Sequence, residues 1–290
     1  MKMMMRRQND APYRRQAARP GSPVRGWARS LDAVWWHSGT RSVRAALAGT
    51  AALLLPVDCV CCGRPDAVLC PQCARKMRTS CLHPHRVEDR AESLPLNTVG
   101  LPLPVICAGS YDHELAAVVL AFKNHQMPSL AGILAPSLAR AVLAALASLV
   151  DPGRPVVLVP MPTRLRAKAK RGYFPVGLLL ARLRRSGVLP QGVEMAQLLR
   201  YRMGNQLVSA QKGKGRRERS STRQSMKVSN TPVLQQFRLC GAQVILVDDV
   251  LTTGATLAEA HRALGGTGLL VCGAVVVAAT PAPSEKHAVR

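Results

Sequence analysis

Two acidic residues stand side by side at the end of an aliphatic run in the segment VILVDDVLTTGAT, Val244 to Thr256. Asp248 and Asp249 follow four hydrophobic residues that end at Val247, and a small, hydroxyl-rich loop comes next. Carboxylates accept hydrogen bonds from sugar hydroxyls and attract divalent cations, whereas small residues before a helix present backbone N–H groups to a phosphate. This order of groups suits a ribose 5-phosphate. A turn with a helix cap is the plain structural alternative for the two acids alone.

Strands and helices alternate on either side of this segment. The expected strands are 104–110, 155–160, 243–250 and 269–279, and the expected helices are 112–124, 129–150, 174–187 and 254–266. Such alternation, with continuous aliphatic strands, predicts an α/β fold with a parallel sheet flanked by helices. Ligands of such sheets bind beyond the carboxyl ends of the strands, where Asp248 and Asp249 are expected.

Six of the nine cysteines lie between Cys59 and Cys81. Cys59-x-x-Cys62 and Cys70-x-x-Cys73 form two knuckles with the spacing that places four thiolates around zinc. The choice of Cys62 over Cys61 depends on spacing alone, and a redox role for one CxxC pair is the alternative. We predict a structural zinc ion that stabilises a small N-terminal subdomain.

Of the net charge of +24, 22 charges come from residues 1–30 and 160–230. We expect a disordered basic tail over residues 1–41, a helix with the zinc subdomain and a linker over 42–95, and the main domain over 96–290. The basic segment 164–227 is a candidate surface for the phosphates of single-stranded DNA. Aromatic residues make up only 3% of the chain, however, so few side chains are available to stack on bases.

The apolar run 45–57 is too short to cross a membrane and is expected to be a buried helix. An odd number of cysteines and close CxxC pairs indicate a reducing compartment. The chain is therefore expected to be cytoplasmic, without a transmembrane segment; an oligomer is compatible with the sequence.

The segment VILVDDVLTTGAT closely resembles the signature of type I phosphoribosyltransferases, which use phosphoribosyl pyrophosphate (PRPP) with Mg²⁺. The resemblance implies that Asp248 and Asp249 are the catalytic acids that contact the ribose hydroxyls. It also implies a set of residues around PRPP. These are Val247 before the acidic pair, Thr252, Thr253, Gly254, Ala255 and Thr256 at the 5-phosphate, and Met161, Pro162, Thr163 and Arg171 at the pyrophosphate side.

Cysteine knuckles ahead of such a domain resemble the ComF family of competence-associated proteins, from about Leu53 to the end of the chain. YDHELAAVVLAFKN resembles the family's helix that ends at a lysine, here Lys123, and VPMPTRLRAKAKRGY resembles its Pro-x-Pro loop and basic run. This resemblance implies a link to DNA uptake, with single-stranded DNA and a competence helicase as partners. The pair Phe174-Pro175 departs from the family pattern, and an Arg-x-x-Asn motif is missing downstream.

The sequence thus predicts a PRPP-binding protein of the ComF type that transfers a phosphoribosyl group to an unidentified nitrogen acceptor. The departures indicate altered specificity or turnover. The alternative is a non-catalytic module that senses PRPP or handles single-stranded DNA.

Overall fold

A six-stranded sheet organises the part of the chain that the computed structural model describes, namely residues 57–97, 99–124, 127–164, 172–202 and 225–281. The strand order is β1-β2-β8-β7-β3-β4, and all neighbours are parallel except the edge strand β1, which is antiparallel to β2. The strands of this sheet are β1 (His85–Arg86), β2 (Val105–Ser110), β3 (Val156–Pro160), β4 (Val193–Met195), β7 (Gln243–Leu251) and β8 (Leu270–Ala279). Two more strands, β5 (Leu199–Tyr201) and β6 (Met226–Val228), form a separate antiparallel pair.

The described helices pack against the two faces of the sheet or extend from its edges. They are α1 (Pro71–Ser80), α2 (His113–Asn124), α3 (Ala131–Ser148), α4 (Pro175–Ser186), α5 (Pro232–Leu239) and α6 (Ala255–Gly265), with short 3₁₀ turns at Glu88–Arg90 and Pro128–Leu130.

Successive residues of the central strands point to opposite faces, as strand geometry requires. In β7, Ile245 and Val247 join the apolar cluster that contains buried residues of α2, α3 and α4. Val244 and Leu246 join the cluster on the other face, with buried residues of α5 and α6. Because helices cover both faces, β7 is an uninterrupted aliphatic run up to Val247.

The predicted α/β class with a parallel sheet flanked by helices is confirmed. All four expected strands and all four expected helices form, with ends within two residues of the predicted ones. The missed elements are the helices α1 and α5 and the short strands β1, β4, β5 and β6. Helix α5 starts at a recognisable signal, because Thr231 caps it with its side-chain oxygen and Pro232 occupies its first position.

The polar segment ahead of β2, which we expected to be a linker, is part of the sheet region. Strand β1 pairs with β2, and Val87, Ala91 and Leu94 are buried in the second apolar cluster. From Val57 onward the described residues form one compact unit. The division into a subdomain over 42–95 and a domain over 96–290 stays a prediction, and the expected tail and helix over residues 1–56 lie outside the described residues.

One stretch, Pro128–Ser148, is long and apolar enough to cross a membrane by length and composition alone. Slightly more than half of it, 56%, is buried within the protein. Its α3 portion supplies Leu134, Leu138 and Val142 to the first apolar cluster. A helix in the core of a folded domain passes the same test of length and composition, so this stretch is weak evidence for a membrane span.

Candidate functional site

The acidic pair lies near the carboxyl end of β7, in the middle of the sheet. Strands β3 and β8 flank β7 on its two sides, and Asp248 is in register with Val276 of β8. Asp249 is buried, with 8% of its surface exposed, and Asp248 is half-buried. The backbone N–H of Asp249 donates a hydrogen bond to Oδ1 of Asp248 at 2.8 Å. The two carboxylates therefore project from adjacent positions at the sheet edge where ligands of parallel sheets bind.

Lys123, in the last turn of α2, reaches the acidic pair from a distant part of the chain. Its Nζ lies 2.9 Å from Oδ1 of Asp249, a charge-assisted hydrogen bond. Sequence reasoning identified Lys123 as the end of a family-like helix but did not include it among the site residues. The resemblance of this helix to the family pattern was the only sign in the sequence that Lys123 belongs to the site, because no local pattern links residue 123 to residue 249.

The environment of Asp248 disfavours its charged form. Burial raises the pKa of this carboxyl, and the adjacent charge of Asp249 raises it further, to about 8. The N–H of Asp249 and the ammonium of Lys123 act in the opposite direction but are weaker. Burial and the neighbouring charge thus both disfavour a second negative charge in the pair.

The loop after β7 turns sharply into α6. Thr252 and Thr253 are exposed, whereas Gly254, the residue before α6, is buried in a left-handed conformation with φ of +82°. A Cβ at this glycine would come 2.8 Å from the side chain of Leu94, and Ser93 N–H donates to the Thr253 carbonyl at 2.8 Å. Only glycine fits this turn without strain. Contacts with Ser93 and Leu94 thus hold the turn that leads into the N-terminus of α6, where an anion is favoured.

The turn after β3 lies next to β7, as expected for the pyrophosphate side. Met161 N–H donates to the Val247 carbonyl at 2.8 Å, which extends the β3–β7 pairing by one residue. The Met161 side chain is buried in the second apolar cluster, while Pro162 and Thr163 are half-buried. Met161 therefore contributes its backbone, rather than its side chain, to this turn.

Arg164 and Tyr201 form a further contact at the site. The Arg164 guanidinium lies over the Tyr201 ring, 5.5 Å from its centroid. Burial raises the pKa of Tyr201, and the charges of Arg164, Asp248 and Lys123 all act on the same hydroxyl. Tyr201, on β5, is thus close to the acidic pair.

Tyr173 joins the segment after the basic run to the end of α2. Its hydroxyl donates to the Phe122 carbonyl, and the two rings lie 5.6 Å apart at 43°. The residue next to Lys123 is therefore anchored from outside the helix. Arg171 and most of the basic segment, residues 165–171 and 203–224, lie outside the described residues.

The fold of the chain brings the four predicted zinc-binding thiols together. The Sγ atoms of Cys59, Cys62, Cys70 and Cys73 all lie within 4.8 Å of one another, and Cys62 and Cys70 are 3.7 Å apart. Sulfurs at the corners of a tetrahedron with Zn–S bonds of about 2.3 Å are about 3.8 Å apart. The four thiols therefore fit a zinc ion.

Local structure explains this geometry. Gly63 adopts φ of +71° after the first knuckle, with its N–H bonded to the Cys59 carbonyl at 2.9 Å. Cys70 is the residue before α1, Pro71 occupies the first helical position, and Cys73 follows in the first turn. Cys61 is outside the four-thiol cluster, because its Sγ faces the Glu114 carbonyl at 3.7 Å. The four-thiol cluster thus includes Cys62 and excludes Cys61.

The thiols of the cluster differ in their proton affinity. Burial raises the pKa of Cys59, but N–H groups of Cys70, Cys61 and Cys62 outweigh burial and lower it to about 6. The N–H of Cys73 is the largest influence on Cys70 and lowers its pKa, whereas burial raises that of Cys73. Two thiols that ionise readily make the cluster ready to accept a cation.

Comparison with known proteins supports the expectation for the main domain. Residues 186–289, about a third of the chain, match the family model described as the phosphoribosyl transferase domain. The match includes β7, the acidic pair and the loop into α6. A search of curated proteins found no match. The α/β fold of the phosphoribosyltransferase type, with a cysteine cluster near the N-terminus, is confirmed by this match and the sheet topology together.

Proposed function

We propose that the protein binds PRPP with Mg²⁺ at the carboxyl end of β7 and transfers its phosphoribosyl group to a nitrogen acceptor. The observation that carries this proposal is the acidic pair followed directly by the glycine turn into α6, within the region that matches the phosphoribosyl transferase domain. Asp248 and Asp249 would hold the ribose hydroxyls. Thr252 to Thr256 would hold the 5-phosphate at the helix N-terminus.

The turn after β3 is suited to the pyrophosphate. Pro162 and Thr163 follow the buried Met161 at the same sheet edge, and the cationic Arg164 comes next. In the proposed reaction the acceptor nitrogen bonds to C1 of the ribose while the C1–O bond breaks, and pyrophosphate leaves with the electron pair. No side chain attacks, so the protein's contribution is positioning and charge stabilisation. Mg²⁺, bound with PRPP, neutralises the charge that develops on pyrophosphate.

We also propose that zinc at Cys59, Cys62, Cys70 and Cys73 has a structural role. The helix α1 that follows the second knuckle buries Met77 in the first apolar cluster, together with Cys81 just beyond its end. A metal ion that closes the knuckles thus stabilises the attachment of this region to the rest of the protein. This arrangement supports membership of the ComF type.

The second candidate function is the handling of single-stranded DNA, with the link to competence and a helicase that the ComF resemblance implies. The strong positive charge of residues 160–230 and the Arg164–Tyr201 contact favour it. In this function PRPP would act as a regulatory ligand or have no role.

Two assays on the full chain separate these functions. Release of pyrophosphate from Mg²⁺-PRPP that depends on an added amine or base would support transfer, and Asp249→Asn should abolish that release. Binding of a fluorescent oligonucleotide that weakens steeply with salt, together with no pyrophosphate release for any acceptor, would instead favour DNA handling.

A further inference from the structure

Lys123 is held in place against Asp249 from several directions. Its Nζ lies 2.9 Å from Asp249 Oδ1, with 36% of the lysine side chain and 12% of the aspartate side chain exposed. Tyr173 bonds to the carbonyl of the preceding residue, Phe122. At the other end of α2, Glu114 meets Lys76 of α1 with Nζ and Oε1 3.4 Å apart. The contact with Asp249 is therefore built by the fold rather than made by a free surface side chain.

The contact between Lys123 and Asp249 changes the local charge that a free cation encounters at the acidic pair. Two adjacent carboxylates would ordinarily attract a free divalent cation. Here the ammonium already occupies one oxygen of Asp249, and a second cation, Arg164, lies nearby over Tyr201. A free Mg²⁺ would have to displace or approach the ammonium. A polyanion that arrives with its own cation would instead gain from both positive groups.

We propose that Lys123 is a built-in counter-ion of the acidic pair, which keeps free divalent cations out until PRPP brings them in. Lys123 is thus a positioning residue that acts through Asp249, and it makes binding of the cation depend on binding of the polyanion. The identification of the polyanion as PRPP rests on the proposed function. The expected effect of Lys123 on free cations does not depend on that function.

The test uses Mn²⁺ alone as the probe, measured by the electron paramagnetic resonance signal of the free ion, on full-length protein saturated with zinc. Removing the ammonium in Lys123→Met should tighten Mn²⁺ binding about threefold to tenfold, as expected for a partly exposed ion pair. Lys123→Arg, which keeps the charge, should stay within about twofold of the unmodified protein. Asp248→Asn/Asp249→Asn should lose this Mn²⁺ binding, which identifies the site.

Lys76→Met is the matched control, because it removes a lysine–glutamate ion pair at the other end of the same helix. It should leave Mn²⁺ affinity unchanged. Zinc content and melting temperature check that each variant folds. If Lys123→Met does not fold, Lys123→Gln takes its place as the neutral variant. Unchanged or weaker Mn²⁺ binding in the folded neutral variant would overturn the inference, as would Mn²⁺ binding too weak to measure in every protein.

Titration with PRPP separates this inference from the proposed function. With PRPP and Mn²⁺ together, Lys123→Met should bind PRPP more weakly than the unmodified protein, opposite to its effect on Mn²⁺ alone. A lysine that only supported the fold would shift both affinities in the same direction. If the unmodified protein fails to bind PRPP, the proposed function fails, whereas the Mn²⁺ contrast still decides the role of Lys123.

Discussion

The cysteine cluster and the acidic site differ in how far apart in the chain their groups lie. All four thiols of the predicted zinc site fall within residues 59–73, and their geometry follows from two tight turns and the first turn of one helix. The acidic site joins β7 to the end of α2, a separation of 126 residues between Lys123 and Asp249. Local groups can be assigned from spacing, whereas the partner of a buried carboxylate depends on which distant elements pack beside it.

The two regions also differ in what holds them together. The cysteine cluster has little apolar core of its own: its buried members are Cys59, Cys70 and Cys73. The acidic site lies on strands that are buried on both faces by two large apolar clusters. A small region with few core residues is expected to depend on a bound metal, while the acidic site should keep its shape without any ligand.

The largest expected effect is therefore on the cysteine cluster. Cys70→Ser should lose stoichiometric zinc and lower the free energy of unfolding by roughly 4 kcal/mol or more, because a metal ligand is lost from a fully buried position. Atomic absorption and urea denaturation measure the two effects. Cys61→Ser is the control, since Cys61 lies outside the cluster and should retain zinc. Equal zinc content in both variants would contradict the assignment of Cys70.

At the acidic site, Asp249→Asn should weaken PRPP binding about a hundredfold or more while the fold remains intact. The reason is that it removes a buried charge that orients both the ribose hydroxyls and Lys123. Equilibrium dialysis with labelled PRPP measures this loss. Asp89→Asn, an exposed acid in the 3₁₀ turn before β2, should bind as the unmodified protein does. Comparable affinity in the two variants would show that the acidic pair is not the PRPP site.

The turn between β7 and α6 is the part of the acidic site that resembles the cysteine cluster, because its shape depends on a single local residue. Gly254→Ala should destabilise the protein by roughly 2–3 kcal/mol, since the methyl group would meet Leu94 and φ is positive. It should also weaken PRPP binding. Gly265→Ala at the other end of α6 meets nothing within 4 Å and should change stability by less than about 1 kcal/mol. Urea denaturation of both variants tests this, and equal stability would rule out strain at Gly254.

The last expected effect is a dependence of stability on pH, which is small over any one pH unit. The raised pKa of Asp248 means that the folded protein binds a proton there that the unfolded chain releases between about pH 4 and pH 8. That contribution to stability is fully present below the unfolded pKa and is lost as pH rises through the folded one, by at most about 1.4 kcal/mol per pH unit. Asp248→Asn removes it. The stability of this variant relative to the unmodified protein should rise with pH across that window, and parallel curves would contradict the account.

Much of the fold was predictable because the central strands and long helices carry strong, local apolar patterns. Strands β4, β5 and β6 have three residues each and expose a side chain at their centre, so no pattern marks them. Strand β5 also lies within the basic segment 164–227 and β6 overlaps its end, and the composition of that segment suggested an irregular region. Strand β1 is only two residues long, and it is a strand because it pairs with β2 rather than because of a pattern in its sequence.

For the candidate site, the sequence identified the groups that one segment supplies but not the pairs between segments. The four thiols and the glycine turn follow from spacing. The contacts of Lys123 with Asp249 and of Arg164 with Tyr201 depend on how α2, the turn after β3 and β5 meet at one sheet edge. No local pattern encodes that meeting, and the burial that raises the pKa of Asp248 most depends on the same packing.

The most direct test of the central claim is calorimetric titration of the full-length protein with PRPP, with and without Mg²⁺, at moderate salt. We expect micromolar binding that strengthens with Mg²⁺ and is lost in Asp248→Asn/Asp249→Asn, with zinc content unchanged. Absence of PRPP binding by the unmodified protein, or equal binding by the double variant, would contradict the claim that the end of β7 is a PRPP site.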